Sequence, residues 1–308
     1  MDSKKLEILV TAADLGSFTK ASNVVGYTQS GLTHMMDTLE REIGIPLLRR
    51  NHNGIELTEY GVQLMPAIRE FLRANARLEK QIRAIKETAA TTIRIAAYSS
   101  IAMHWMPEIL YRFRRLCPDV SVDLRMVDHA LEPFELLDEG KTDVIFASRQ
   151  NYGRCEWIPL YDDYMYAILP KDYPLEGRSS FPLEEFSGKE FLMPYGRFDI
   201  DVNAAMRRVG IRLNARPSYV DDETVIRMVG RGLGVSMMTE LMIRGRVDDV
   251  QCVPVSPRTI RELGMGTYAG GEVSDSVQKL KDCVLQFISD AKRRTSSGKA
   301  AQQESGSL

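Results

Sequence analysis

The chain has no apolar run near the roughly 20 residues that a membrane span needs. Its first residues, Met1-Asp2-Ser3-Lys4-Lys5, lead into a polar amphipathic stretch rather than the apolar core of a secretory signal. These absences argue against a membrane protein and a secreted protein. We therefore expect a cytoplasmic protein without a membrane partner.

Cysteine and histidine are scarce and scattered. No two of the cysteines have metal-ligand or redox-pair spacing, which favours reduced structural thiols and leaves a peroxide-sensing pair as the alternative. The sequence therefore predicts no metal and no resident cofactor. It also has no nucleophile elbow, phosphate loop or paired-acid motif, so we do not expect an enzyme. The four cysteines are Cys117, Cys155, Cys252 and Cys283, and the four histidines are His34, His52, His104 and His129.

An excess of positive charge is absent as well. Lys and Arg number 40 against 42 Asp and Glu, and the formal net charge is -2. The first 90 residues carry 12 basic and 11 acidic side chains. Any argument for nucleic-acid binding must therefore rest on motifs and local geometry. The length of 308 residues allows two or three compact units, each with its own core.

The first 45 residues have the apolar spacing of three short helices, the second and third capped by Ser17 and Thr28. In the third helix, apolar side chains at helical spacing leave Gln29, Ser30, Thr33 and His34 on the outer face. A helix N-terminus with short polar side chains is suited to the major groove of DNA, and Gln29 is the best candidate to read a base. The alternative is a solvent-facing helix of an ordinary bundle.

A hairpin pattern follows the third helix. Leu47-Leu48-Arg49-Arg50 leads through a tight turn, Asn51-His52-Asn53-Gly54, to Ile55-Glu56-Leu57-Thr58, which predicts a wing. Arg49 and Arg50 are placed to meet backbone phosphates, although a solvated turn would also explain them. The predicted DNA contacts are Ser17, Thr28, Gln29, Ser30, Gly31, Thr33, His34, Arg49, Arg50 and Asn53.

Four segments in this part of the chain resemble, in order and spacing, the signature of the LysR family of bacterial transcriptional regulators. They are Gly16-Ser17-Phe18-Thr19-Lys20-Ala21, Thr28-Gln29-Ser30-Gly31-Leu32-Thr33, Leu39-Glu40-Arg41-Glu42-Ile43-Gly44-Ile45-Pro46-Leu47-Leu48 and Leu57-Thr58-Glu59-Tyr60-Gly61. The resemblance implies a winged helix-turn-helix domain, a linker helix and a periplasmic-binding-protein-like α/β effector-binding domain. It further implies a sequence-specific regulator of transcription, modulated by a small-molecule effector.

One long helix is predicted from Glu59 to about Thr88. A heptad-like apolar stripe runs along it through Leu64, Ile68, Phe71, Asn75, Leu78, Ile82 and Ile85. A helix of about 45 Å cannot bury such a stripe within one small domain, so we expect a homodimer; packing on its own domain is the alternative. The resemblance further implies assembly into tetramers. Because a dimer presents two DNA-binding domains, we expect a promoter with an inverted-repeat operator.

After residue 91, strands and helices alternate, as in an α/β sheet, and two such sets predict two subdomains. The predicted domains are residues 1–58 for DNA binding, 59–90 for the linker and 91–294 for the effector. Subdomain I comprises 91–161 and 267–294, subdomain II comprises 162–266, and 295–308 form a disordered tail. Strands are expected near Tyr164–Leu169 and Leu263–Tyr268, among others.

Ligands of α/β folds lie at the carboxyl ends of strands, which is where we place the effector. Ser99 and Ser100 begin a helix there, where they either bind a carboxylate or only cap the helix. Arg149 favours an anionic effector. The predicted contacts are Ser99, Ser100, Val127, Asp128, Ser148, Arg149, Tyr195 and Gly196. A solute-binding module without gene control is the alternative function.

Overall fold

The structure, a computed structural model, describes residues 2–51, 54–86, 92–127, 131–194, 200–217, 220–270 and 273–304. The chain divides into two units, residues 1–88 and 89–308. Among the described helices, none is both long and apolar enough to cross a membrane.

The first unit is a helical domain with a two-stranded wing and a long final helix. Its elements are α1 (Ser3–Leu15), α2 (Phe18–Val25), α3 (Gln29–Ile43), β1 (Leu48–Asn51), β2 (Gly54–Leu57) and α4 (Glu59–Lys86). The side chains of Asp2, Ser17 and Thr28 cap α1, α2 and α3 by accepting backbone N–H bonds. The expected winged helix-turn-helix is therefore present.

The core of this unit joins the first three helices to the wing and to the start of α4. Leu6, Leu32 and Leu39 are fully buried, and Leu47 from the start of the wing packs with them. The Glu40 carboxylate accepts hydrogen bonds from the backbone N–H groups of Leu47 and Leu48, at 2.6 and 2.8 Å. These bonds connect the wing to the helix that precedes it.

Gly54 allows the wing to approach the turn between α1 and α2. The Ile55 N–H donates to the Gly16 carbonyl at 3.0 Å, and a Cβ on Gly54 would lie 2.3 Å from that oxygen. Gly54 also has a φ of 130°, a backbone conformation that side chains disfavour. A glycine is therefore required at this position.

The apolar stripe of α4 has two parts. Ile68 is buried in the core of its own unit and Leu64 packs against that core. Phe71, Leu78 and Ile82 are exposed, by 41%, 55% and 41%. The amino-terminal end of the predicted pairing seam therefore cannot contact a second copy, whereas the later part of the seam is exposed and can. Asn75 is half-buried, and the side chain of Ile85 lies outside the described residues.

The second unit is an α/β fold around an eight-stranded sheet. Its elements are β3 (Thr92–Tyr98), α5 (Ser99–His104), α6 (Met106–Leu116), β4 (Ser121–Val127), α7 (Glu132–Asp138), β5 (Val144–Ser148), β6 (Cys155–Pro170), β7 (Phe181–Pro182), a 3-10 helix (Leu183–Phe186), β8 (Glu190–Met193), α8 (Ile200–Arg208), β9 (Asn214–Pro217), α9 (Asp222–Gly230), β10 (Ser236–Thr239), α10 (Glu240–Ile243), β11 (Val250–Ser256), β12 (Ile260–Tyr268) and α11 (Asp275–Glu304). Seven strands of the sheet follow the order β4-β3-β5-β12-β6-β11-β7, while β10 pairs with β6 off this path.

Two long strands connect the two subdomains. The outgoing strand, β6, has Leu160 in the core of subdomain I and Met165 in that of subdomain II. In the returning strand, β12, both Leu263 and Met265 are buried in the core of subdomain I. The return therefore occurs before Leu263, earlier than the boundary at 266/267 that the sequence predicts. The reason is that β12 pairs with β5 of subdomain I from Leu263 onward.

The final helix corrects the prediction of a disordered tail from residue 295. Helix α11 continues to Glu304, and residues 305–308 lie outside the described part of the chain. Ala, Lys, Gln and Glu in this stretch are good helix formers, and extending an existing helix avoids the cost of nucleation.

Candidate functional site

The outer face of α3 presents the polar side chains that the sequence singled out. Gln29, Ser30 and His34 are exposed, and Thr33 is half-buried. Together with Asp37 they line a shallow open depression of about 560 Å³. The structure therefore brings four predicted DNA contacts together and adds an acid, Asp37, that sequence reasoning missed. Asp37 lies two turns beyond Gln29, a spacing that could have indicated it.

Three other predicted contacts, Ser17, Thr28 and Gly31, make hydrogen bonds that build the helix-turn-helix. The Ser17 hydroxyl accepts from the Lys20 N–H at 3.3 Å, and the Thr28 hydroxyl accepts from the Gly31 N–H at 3.1 Å. Their first role is therefore to fix where α2 and α3 begin. The side-chain oxygen of Gln29, Oε1, accepts a hydrogen bond from the Thr19 hydroxyl at 3.2 Å, which orients the Gln29 side-chain amide.

On the wing, Arg49 is paired within the protein. Its guanidinium lies 3.0 Å from the Glu56 carboxylate on the facing strand, and both side chains are well exposed. Exposed ion pairs are weak, so a phosphate can compete with Glu56 for this arginine. The side chain of Arg50, and Asn53 as a whole, lie outside the described residues.

In the second unit, a polar group bridges the two subdomains near the ends of β3 and β5. The Ser148 hydroxyl is buried, lies 3.4 Å from the Tyr98 hydroxyl and accepts from the Gln150 amide at 3.1 Å. The same amide donates to the Asp201 carboxylate at 3.3 Å, at the start of α8 in subdomain II. Ser148 was predicted, whereas Tyr98, Gln150 and Asp201 were missed. Gln150 lies two residues beyond Ser148, so strand alternation was the available signal.

Arg149 belongs to a different group. Its side chain is 60% exposed and pairs with Glu262 at 3.4 Å, while the Trp157 indole N–H donates to the same carboxylate at 2.9 Å. Consecutive residues of an extended chain face opposite ways, which separates Arg149 from Ser148. The structure therefore does not bring Arg149 together with the bridging group.

The two serines at the start of α5 differ from each other. Ser99 is half-buried, whereas Ser100 is buried and accepts a hydrogen bond from the Arg261 guanidinium at 3.0 Å. Of the other predicted contacts, Val127 is buried in the core of subdomain I. Asp128, Tyr195 and Gly196 lie outside the described residues.

His104 and Tyr161 lie where α5 and β6 approach α10. Burial lowers the pKa of His104, as do the nearby charges of Arg244 and Arg246. Burial, with the carboxylate of Glu240, raises the pKa of Tyr161 to about 12. The His104 Nε2 is buried and has no hydrogen-bond partner among the described residues. The imidazole is therefore kept neutral at physiological pH.

The four thiols are all free. Burial raises the pKa of both Cys155 and Cys252 to about 11, and it also raises the pKa of Cys283. In the part of the chain that the structure describes, no three His, Cys, Asp or Glu side chains are grouped where they could hold a metal ion.

Comparison with known proteins assigns both units to one type of regulator. Residues 3–62 match the family described as "Bacterial regulatory helix-turn-helix protein, lysR family", and residues 86–289 match the "LysR substrate binding domain". The chain is 27% identical over 299 residues to the HTH-type transcriptional regulator YvbU of Bacillus subtilis, which covers 95% of this chain and 98% of that protein.

Solved structures of full-length proteins share the fold. Full-length BenM aligns with a TM-score of 0.58 at 19% identity, covering 95% of this chain and 98% of BenM. CbnR complexed with its target DNA aligns with a TM-score of 0.51 at 19% identity, covering 94% of this chain and all of that one.

Proposed function

This chain belongs to the LysR family of DNA-binding transcriptional regulators, and we propose that it reads an inverted-repeat operator as a symmetric pair. It combines a DNA-binding unit with a domain that binds small-molecule effectors, and it is not an enzyme. In our proposal, a metabolite held between subdomains I and II changes the geometry of the paired heads and hence promoter contact. The protein would act in the cytoplasm, where promoter DNA lies.

The polar outer face of α3 is the observation that carries the DNA-binding part of the proposal. Gln29, Ser30 and His34 project from it, and no described residue of their own unit covers them. Amide, hydroxyl and imidazole groups can exchange hydrogen bonds with base edges in the major groove. Arg49 adds a phosphate contact at the wing. CbnR, with which this chain shares its fold, has been solved with its target DNA.

The exposed part of the α4 stripe supports the pair. Phe71, Leu78 and Ile82 leave large apolar surfaces open at heptad-like spacing. We propose that a second copy covers them, and that two such dimers assemble further. The expected result is that Leu78→Glu yields monomers in sedimentation velocity while Gln63→Glu, an exposed site on the same helix, stays paired. A dimeric Leu78→Glu protein would contradict this seam.

The group around Ser148 supports an effector held by hydroxyl, amide and carboxylate groups rather than by an arginine. Tyr98, Ser148 and Gln150 offer hydroxyl and amide groups, and Asp201 contributes the facing carboxylate. Arg149 pairs with Glu262 outside this group, and Arg261 is buried in its ion pair with Asp163. We therefore propose a polar metabolite rich in hydroxyl or carbonyl groups. The anionic effector favoured by the sequence loses the support of Arg149.

The decisive experiment measures binding of the purified full-length protein to its own upstream region and to random fragments. Salt should be moderate and candidate metabolites should be supplied. We expect the upstream region to be preferred, and Gln29→Ala to lose that preference while Glu7→Gln, an exposed site on α1, retains it. Equal retention of both kinds of fragment by the wild-type protein would contradict the proposal.

A further inference from the structure

Asp37 is an exposed acid on the outer face of α3, the face that meets DNA in our proposal. It lines the same depression as Gln29, Ser30, Thr33 and His34. A carboxylate in this place is unfavourable for general affinity, because it approaches a duplex whose phosphates are negatively charged. Non-specific attraction to DNA therefore does not explain why an acid occupies this position.

The arginine on the next turn of α3 does not bond to this carboxylate. Arg41, one turn further along α3, donates from Nε to the Asp37 backbone carbonyl at 3.1 Å and from Nη2 to the Thr38 hydroxyl at 3.3 Å. The described residues show no hydrogen bond or ion pair to the Asp37 carboxylate itself. The two carboxylate oxygens are therefore available as acceptors on the outer face of the helix.

An ionised carboxylate can only accept hydrogen bonds, and this limits the bases that it can face. In the major groove, cytosine offers its N4 amino group as a donor with no acceptor on the same base edge, and adenine offers its N6 amino group beside the N7 acceptor, whereas guanine offers two acceptors and thymine one. Guanine or thymine opposite Asp37 would therefore bring lone pairs against a negative charge. A single hydrogen bond would then favour cytosine and disfavour guanine and thymine.

We propose that Asp37 is a specificity-determining residue that accepts a hydrogen bond from the N4 amino group of a cytosine. The inference rests on the proposed function, in which α3 enters the major groove. Each half-site of the operator then contains one position, related by the twofold axis, where cytosine is required. Gln29, near the helix start, reads a different part of the half-site.

The test selects binding sites from a randomised duplex library with the wild-type protein and the variants Asp37→Ala and Asp37→Asn. Glu7→Gln is the control, because it removes an exposed acid on α1. We expect wild type and control to select cytosine at one symmetric position, with roughly tenfold or greater loss of affinity when thymine replaces it. Asp37→Ala should lose the preference at that position alone. Asp37→Asn should move it toward adenine, whose N6 and N7 suit an amide.

The possible outcomes separate this inference from the proposed function. If all four proteins select the same sequence, Asp37 does not determine specificity and the inference is overturned. The same holds if Asp37→Ala only binds every duplex more tightly, because the carboxylate then acts through repulsion of phosphates. If the wild-type protein selects no sequence, the proposed function fails, and the inference fails with it. Circular dichroism spectra matching the wild type would show that the variants are folded.

Discussion

Arg261 and Asp163 form a buried ion pair, with the Arg261 Nε 2.9 Å from the Asp163 Oδ2. They face each other across β12 and β6, the strands that connect the two subdomains. The pair also reaches two helices. Arg261 donates to Ser100 at the start of α5, and Asp163 accepts from the Leu241 N–H at the start of α10. One ion pair thus fixes both strands and a helix from each side of the connection.

Removing one member of this pair should destabilise the second unit. Asp163→Asn leaves the Arg261 guanidinium buried without its counter-charge, for which we expect a loss of about 3 kcal/mol in the free energy of unfolding. The two tryptophans, Trp105 and Trp157, both lie in this unit, so their fluorescence in urea reports its unfolding. Asp275→Asn, which removes an exposed pair on α11, is the control and should stay close to wild type. Equal midpoints for the two variants would contradict the prediction.

The bridge through Gln150 should affect the effector response. Gln150→Ala removes the amide that joins Ser148 to Asp201, so we expect a weaker effector response in a reporter assay and unchanged operator binding without effector. Arg149→Ala is the matched control, because the adjacent side chain pairs with Glu262 instead. If Arg149→Ala lost the response and Gln150→Ala kept it, the site around Ser148 would be wrong and an anionic effector would be favoured again.

The wing arginine should contribute affinity without sequence preference. Arg49→Ala removes one phosphate contact per copy, so binding should weaken alike on all sequences. The slope of log affinity against log salt should become shallower by about one for each arginine lost. Glu56→Gln releases Arg49 from its ion pair and should strengthen binding. Titrations at several salt concentrations measure both effects, with Arg227→Ala in the other unit as control. An unchanged slope for Arg49→Ala would place this side chain away from phosphate.

The buried imidazole of His104 should make the second unit sensitive to acid. Burial and the neighbouring Arg244 and Arg246 lower its pKa in the folded protein, with Asp163 opposing them. The unfolded chain then takes up this proton first as pH falls below about 6.5. Stability is therefore full above that pH and is lost as pH falls through the folded pKa. Urea midpoints from tryptophan fluorescence should drop less toward pH 5 in His104→Gln than in wild type. His34→Gln, in the other unit, should behave as wild type.

The thiols of Cys155 and Cys252 should react slowly with peroxide and with thiol reagents. A pKa of about 11 for Cys155 and Cys252 leaves roughly one thiolate in a thousand at pH 8, and the thiolate is the reactive form. Labelling rates should rise as pH increases toward 11. We expect DNA binding to be unchanged after peroxide treatment, with a Cys-free variant as the control. A loss of binding that the Cys-free variant does not share would show a redox-sensing cysteine.

Local patterns in the sequence were sufficient for the DNA-binding unit. Caps at Ser17 and Thr28, the helical spacing of Leu32 and Leu39, and the hairpin around Gly54 predicted elements that the structure confirms. The same patterns placed Gln29, Ser30, Thr33 and His34 on one face, because neighbours along a helix surface follow directly from its periodicity. The alternation of strands and helices after residue 91 likewise predicted the α/β fold.

The tertiary structure decided which side chains are available, because pairing depends on residues far apart in the chain. Arg149 is paired with Glu262, 113 positions away, and Ser100 with Arg261, 161 positions away, and no local pattern contains such partners. The same reason explains why Leu64 and Ile68 pack inward while Leu78 stays open on one continuous stripe. Periodicity determined where each side chain of this protein points. Only the tertiary structure determined which residues each side chain contacts, since burial and charge pairing are properties of the assembled core.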